Sequence, residues 1–178
     1  KFADMVGGAG HWARRRGKRA VLGGPCPTDL KWLDIMGGHG GLAEMDVVSV
    51  HGFPGTWDSE SATWPGWEDL VGDVRRAVHA WNPALAVWIT ETGYSTWRHD
   101  DAGQIRRFLE AAAAPAERVY WYALQDLSPN VPSQEGLRFD ARHYHCGVHD
   151  HRGRRKLLAR ALADGGMAGA ARILELER

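Results

Sequence analysis

The sequence predicts an α/β fold with a parallel sheet, forming part of an eight-stranded (β/α)8 or TIM barrel. Three observations carry that expectation. Four short apolar runs, at residues 20–22, 46–51, 86–90 and 119–124, alternate with helical patterns. At roughly 30 residues per strand–helix unit, this implies parallel strands joined by right-handed crossovers. The run at 46–51 (DVVSVH) is apolar on both faces, as a buried parallel strand must be. The segments that follow the strands are long and rich in Trp, His and acids, and a barrel carries its site at that end of its strands. The competing architecture is an open doubly wound sheet, whose first strand–helix turn should grip phosphate through a glycine pattern. Here the first strand runs into Gly23-Gly24-Pro25-Cys26-Pro27, and the prolines remove the amide donors a phosphate needs. A full barrel is typically about 250 residues, so a chain of 178 residues corresponds to its second half.

In chain order, Phe2, Met5, Val6, Ala9, Trp12 and Ala13 share one helical face. Arg14, Arg15 and Arg16 suit its last turn, and Gly17 its left-handed cap. After the first strand, Thr28 or Asp29 caps a helix through Leu30, Leu33 and Met36, ended by Gly37, Gly38, Gly40 and Gly41. The second strand, 46–51, gives way to a Gly-, Pro-, Ser- and Trp-rich loop over 52–63. Pro65 then suits the first turn of a helix with the stripe Trp67, Leu70, Val71, Val74, Val78 and Trp81. Asn82-Pro83 stops it. The third strand is 86–90. Asp100 caps a helix carrying Ile105, Phe108 and Leu109, closed by Pro115. The fourth strand is 119–124. A polar loop over 125–142 leads to a short extended piece at 144–148 and a turn at 150–153. Leu157, Leu158, Ala161 and Leu162 form the last packed helix. Gly165 and Gly166 break it, leaving residues 165–178 as a helical or frayed tail after a barrel segment over 1–164.

Composition narrows the function. Net charge is zero with neutral histidines, so no basic footprint for nucleic acid or a membrane surface is expected. No apolar run is long enough to span a bilayer. Two cysteines, Cys26 and Cys146, make no disulfide framework and no metal spacing. They fit a reducing compartment, and they can also pair outside the cell. The chain opens at Lys1, inside a helical pattern, without an initiator Met or leader. It therefore reads as a piece of something longer, and the sequence does not set its localisation. Nine tryptophans is a high number, suited either to core or to surfaces that contact sugars or proteins.

The most informative stretch is AVWITETGY at 86–94, an apolar run delivering Glu91 to a strand end. Its VWITETGY part resembles the seventh strand of the retaining glycoside hydrolases built on the (β/α)8 barrel, where an aliphatic strand ends in T-E-x-G. VHGFP at 50–54 resembles that superfamily's sixth strand end, and YWYALQD at 120–126 its aromatic eighth strand. CGVHDHRGRRK at 146–156 is similar to the segment before the last barrel helix. The four matches occur in the family's order and are most similar to xylosidase-like barrel domains. The resemblance implies strands 5 to 8 of a clan A-like glycosidase barrel, a glycoside or other carbohydrate as substrate, no cofactor, and a missing N-terminal half as partner. It assigns Glu91 as nucleophile. The family's acid/base Glu follows an Asn at the end of the fourth strand, which would precede Lys1; no Asn-Glu pair occurs here. The eighth-strand Trp normally lies four residues before the acid. Tyr122 holds that place, with Trp121 beside it.

A structural alternative stands beside each assignment. Glu91 can be a strand-end carboxylate paired with a cation, and His51 either a rim histidine or a group that orients Glu91 or binds a sugar hydroxyl. Trp57, Trp64 and Trp97 can stack on a pyranose or pack their loops down. Tyr94, Trp121, Tyr122, Gln125 and Asp126 are the remaining candidate contacts. His143, His145, His149 and His151 lack an HExxH-type helix, so no metal site is expected from them. The rival to a glycosidase is a carbohydrate-binding or interaction domain on the same barrel fold that catalyses nothing.

Overall fold

The computed structural model describes residues 1–57, 64–133 and 140–176. Parts of the loops expected at 52–63 and 125–142, and the last two residues of the tail, lie outside the described residues. The chain divides into two compact units. The first comprises Lys1–Gly52, Pro65–Glu91 and Ala114–Tyr120; the second comprises Phe53–Trp64, Thr92–Ala113 and Trp121–Arg178.

The first unit holds helices α1 (Phe2–Arg14), α2 (Leu30–Gly38) and α3 (Trp67–His79). It also holds strands β1 (Val21–Leu22), β2 (Val47–Gly52), β3 (Ala86–Thr92) and β4 (Arg118–Trp121), apart from the final residues of β3 and β4. The four strands form one parallel sheet in the order β1-β2-β3-β4, with Val21 opposite Val47 and Leu22 opposite Val48. A strand–helix alternation with strands in sequence order is the topology of a partial TIM barrel. Val47, Val48 and Val50 on β2, Ile89 on β3, Leu33 on α2 and Val71, Val74 and Val78 on α3 are all fully buried. Ser49, inside this apolar strand, is satisfied by donating to the Leu22 carbonyl at 2.8 Å. At the N-terminal ends of the strands, Arg19 forms an ion pair with Glu117 at 2.7 Å and lies 4.9 Å over the ring of Trp88. Residues flanking the two edge strands thus meet. In a flat sheet β1 and β4 would stand three strand spacings apart, roughly 14 Å, so this one curls.

Several elements differ from expectation. The large residues of α1 are not its packed face: Phe2, Met5 and Trp12 are half exposed or more, while Ala3 and Gly10 are buried. The helix sits down on its small residues because Gly10 lies against the Glu44 backbone and the Met45 side chain. The large stripe instead lines an open apolar cavity of about 560 Å³ with Val21, Leu22 and Met45, beside the free edge of β1. Pro65 precedes α3, whose N-cap is Gly66. Trp81 lies beyond the helix, exposed, with its indole donating to Asp34 at 3.0 Å. Of the two candidate caps for α2, Asp29 takes the role, accepting from the Trp32 amide at 3.0 Å.

The second unit packs α4 (Asp101–Ala112) on α5 (Leu157–Leu176) through Ile105, Leu158, Ala161 and Ala170. Asp100 caps α4, accepting from the Gly103 amide at 2.9 Å. The helical geometry of α5 is interrupted at Gly165 and Gly166, the latter in a left-handed conformation at φ 57°. The strand expected at 119–124 ends at Trp121, and the Tyr122–Ala123 peptide is cis. Beyond it the backbone pairs with residues 146–149 instead, through Ala123 N to Cys146 O at 3.1 Å and Val148 N to Ala123 O at 3.0 Å. The extended piece expected at 144–148 is replaced at its start by a 3₁₀ turn, Ala141–His145. Asp140 organises that turn by accepting from the Arg142 amide at 2.9 Å, a local side-chain bond that outcompetes strand pairing. His143 and His145 therefore share no strand face.

Candidate functional site

Glu91 stands in the penultimate position of β3. Burial alternates along β3 up to Ile89, but Thr90 and Glu91 are both half-buried, so the alternation breaks where the carboxylate emerges. His51, near the end of the neighbouring β2, meets both residues. Its Nδ1 lies 3.5 Å from Glu91 Oε2 and its Nε2 lies 2.9 Å from Thr90 Oγ1. The side chains of His51 and Glu91 are 25% and 40% exposed, so the pair faces solvent yet is held on rigid strands. Gly24, after β1, leaves room for the imidazole: a Cβ there would stand 2.6 Å from His51 Cδ2. A neutral imidazole needs one donor and one acceptor nitrogen. If the Thr90 hydroxyl donates to Nε2, the Nδ1 proton faces Glu91. Two adjacent strands of the first unit and the segment after β1 thus supply one carboxylate, its imidazole neighbour, and the glycine that lets the ring sit there.

Past Glu91 the chain passes into the second unit at Thr92. Gly93 has no room for a side chain, because a Cβ would run into the carbonyl oxygen of Tyr122, which gives the glycine of the T-E-T-G stretch a steric reason. Trp57 donates to Asp140 at 2.9 Å, and its ring lies 4.7 Å from Phe53 and 4.5 Å from His143. The Tyr94 hydroxyl donates to Asp100; burial first, then that bond, pushes Tyr94 up to about 12. Trp121 packs edge-on against Phe108 of α4 at 5.3 Å, while Tyr122 lies 6.0 Å from Phe53. Gln125 donates to the His151 carbonyl at 3.0 Å. Trp97 remains 43% exposed, with its ring 5.3 Å from His145. Residues close in sequence thus take different surroundings: Trp57 and Tyr122 gather around Phe53, Trp121 joins the helix layer, and Trp97 stays open.

Three polar clusters in this unit escaped sequence reasoning. Lys156 donates to both oxygens of Asp126 at 3.1 and 3.3 Å and to the His145 carbonyl at 3.0 Å. The two side chains are only 12% and 7% exposed. Arg142 forks onto Asp140 and reaches the Thr56 carbonyl. Its guanidinium, with the Trp57 indole, holds the Asp140 carboxyl well below the usual carboxylate range. Gln104 is fully buried and donates to the carbonyls of Tyr94 at 3.1 Å and Gly147 at 3.2 Å. Burial pushes the Cys146 thiol up to about 12, which leaves it unreactive, and neither cysteine is in a disulfide. Among the described residues no three His, Cys, Asp or Glu side chains converge as a metal set. No helix among them is long and apolar enough to cross a membrane.

No family model and no curated protein matches the sequence. Solved structures do. A family 17 glycoside hydrolase, a beta-1,3-glucanosyltransferase from Rhizomucor miehei, superposes with a TM-score of 0.55 at 12% identity, over 87% of this chain and 55% of that one. A family 39 glycoside hydrolase from Bacteroides cellulosilyticus WH2 gives a TM-score of 0.49 at 21% identity, over 78% and 29%. The GH2 beta-galacturonidase from Eisenbergiella tayi gives 0.48 at 20%, over 71% and 24%. By the first of these superpositions the chain has the fold of part of a TIM barrel; it spans about half the length of that structure and less of the others.

Proposed function

We propose that this chain is the nucleophile-bearing half of a retaining glycoside hydrolase acting on an O-glycosidic bond of a carbohydrate, a xylosidase-like enzyme in its nearest resemblance. The observation that carries the reading is Glu91, emerging at the end of β3 of a partial barrel against His51. Retaining hydrolysis uses two carboxyl groups about 5–5.5 Å apart, one attacking and one protonating the leaving oxygen. Glu91 fits the attacker: a strand end is a rigid mount with an open face. Its carboxylate would attack the anomeric carbon and expel the aglycone oxygen as that oxygen takes a proton from the second carboxyl. The glycosyl–Glu91 ester would then be cleaved by a water deprotonated by the same group.

His51 would act on Glu91 as a positioning residue. Where the Thr90 hydroxyl donates to Nε2, the Nδ1 proton would face Glu91 Oε2, 3.5 Å away, and leave the other oxygen to attack. The second carboxyl would come from a complementary N-terminal half of the barrel, on the strand that would adjoin β1. Supporting this, β1 is an edge strand with an apolar cavity beside it.

The reading is tested with a 2-fluoro glycoside trap on the polypeptide that completes the barrel, followed by peptide mass spectrometry. Label is expected on the peptide containing Glu91. Glu91→Gln should take no label and lose turnover by about three orders of magnitude or more. If the trap labels Glu91→Gln as well as the parent, Glu91 is not the nucleophile. Carbohydrate binding without any label would favour a barrel that binds and does not catalyse.

A further inference from the structure

The two ring nitrogens of His51 face partners that differ in what they can do. Nδ1 lies 3.5 Å from Glu91 Oε2, and Nε2 lies 2.9 Å from Thr90 Oγ1. An ionised carboxylate only accepts, whereas a hydroxyl both donates and accepts. The neutral ring carries one proton, so two arrangements compete. With the proton on Nε2, the Nδ1 lone pair would face the carboxylate, two electron-rich atoms at charge-contact distance. With the proton on Nδ1, that proton points at Glu91 and the Thr90 hydroxyl donates to Nε2. Only the second arrangement leaves no two acceptors facing each other.

Two further features hold the ring in that pose. Gly24 backs its Cδ2–Nε2 edge, where a Cβ would stand 2.6 Å from Cδ2 and 2.9 Å from Nε2. Any side chain at position 24 would push this edge out of line with Thr90. The Thr90 hydroxyl makes no other hydrogen bond among the described residues, so nothing competes for its proton. A ring turned over about its Cβ–Cγ bond would aim carbon at both Glu91 and Thr90 and lose both contacts. When the ring takes a second proton, Nε2 becomes a donor and the same hydroxyl accepts from it. The Nδ1 proton then faces Glu91 in both charge states of the ring. Thr90 and Gly24 are themselves uncharged, and Glu91 is the ionisable side chain that pairs with the imidazole.

We infer that Thr90 and Gly24 are positioning residues that lock neutral His51 as its Nδ1–H tautomer and so decide how Glu91 is presented. Thr90 acts by donating to Nε2, and Gly24 by leaving the ring room to receive that bond. The consequence for reaction rests on the reading of Glu91 as nucleophile; the tautomer does not.

The test is long-range nitrogen–proton NMR of the chain labelled with ¹⁵N-histidine, with His51 assigned by the signal that His51→Gln removes. Neutral His51 is expected to carry its proton on Nδ1. His79 supplies the internal reference: its Nε2 lies 2.8 Å from the Leu85 carbonyl, which only accepts, so it is the Nε2–H tautomer. Thr90→Val and Gly24→Ala should each turn His51 into a mixture of tautomers, Thr90→Ser should keep it on Nδ1, and His79 should stay unchanged throughout, which reports an intact fold. On the polypeptide that completes the barrel, Thr90→Val should slow labelling by the 2-fluoro glycoside trap about tenfold where His51 is neutral. That deficit should narrow as pH falls and the ring takes its second proton, because Nδ1 is then protonated whatever stands at position 90. A parent ring protonated on Nε2, a tautomer indifferent to both Thr90→Val and Gly24→Ala, or a labelling deficit constant with pH would overturn the inference. A tautomer that follows Thr90 while Glu91→Gln takes label as the parent does would instead overturn the nucleophile reading and leave the lock standing.

Discussion

The two units of this chain reach stability by different means. In the first, the sheet and its helices bury a continuous set of aliphatic side chains, Leu33, Val47, Val48, Val50, Val71, Val74, Val78 and Ile89 among them. No single contact dominates. In the second, an apolar helix pair is joined to long segments held by a few side chains reaching across many residues. Lys156 meets Asp126, Arg142 meets Asp140 and Thr56, and Gln104 meets Tyr94 and Gly147. Apolar burial is distributed and degrades gradually, whereas a buried polar contact, once half removed, leaves a group that neither water nor protein satisfies. The second unit should therefore be the more brittle of the two under single substitutions.

The sharpest way to break that contrast is Lys156→Met. The Asp126 side chain, 7% exposed, would lose its cation. Stripping one partner from a buried pair costs about 3–5 kcal/mol, read as a loss in the denaturation midpoint. The double variant Lys156→Met with Asp126→Asn should recover most of that loss, because no buried charge is then left alone. Equal losses in the single and double variants would show that the pair contributes packing and not charge compensation.

Arg142→Met is the next largest, about 1–2 kcal/mol at neutral pH through the lost bonds to Asp140 and the Thr56 carbonyl. It also carries a pH signature. The folded state holds Asp140 below its ordinary value. Its contribution is thus full above the unfolded pKa, about 3.9, and is lost as pH falls through the folded one. The gap in stability between parent and Arg142→Met should hold steady from neutrality to about pH 5 and close progressively below pH 4. His145, which burial holds below its ordinary value, adds a milder decline in the same direction, starting as pH falls below about 6.5. By contrast, Ile89→Val in the first unit should cost only about 1 kcal/mol with no pH dependence, despite full burial.

The same difference decides what could be read from the chain. The apolar runs around Val48 and Ile89 announced their strands, and Asp29 and Asp100 their helices, because periodicity and capping are local signals. Glu91 was legible as a strand-end carboxylate, although β3 continues through Thr92. The 3₁₀ turn at Ala141–His145 was not, because its alternation of His and Tyr mimics a strand while Asp140 closes the turn through its side chain. Gln104 sits in an ordinary helical position, and only its three-dimensional neighbours turn it into a clamp on Tyr94 and Gly147. Lys156 and Asp126 are 30 residues apart, with no spacing rule to join them. In α1, periodicity pointed to the wrong side: Phe2, Met5 and Trp12 form the more hydrophobic face, yet the helix packs through Ala3 and Gly10.

That exposed face gives the smallest stability effect and the most direct view of how the first unit ends. The strand β1 is two residues long and lies at the edge of the sheet, with Val21 39% exposed beside the cavity lined by Phe2, Met5 and Trp12. Unpaired strand amides next to an apolar surface favour pairing with another chain. The second unit has no equivalent at Ala123 and Leu124, whose backbone is taken up by residues 146–149. The isolated chain should consequently self-associate through β1 in sedimentation velocity. Val21→Lys, a charge on an exposed edge position, should shift it toward monomer while changing unfolding free energy by no more than about 0.5 kcal/mol. Leu124→Lys, at an exposed residue of the second unit, should leave the association as it is. A parent chain sedimenting as one monomeric species would mean that the edge of β1 is closed in solution by the chain itself, and the large face of α1 would be the first place to look for the segment that closes it.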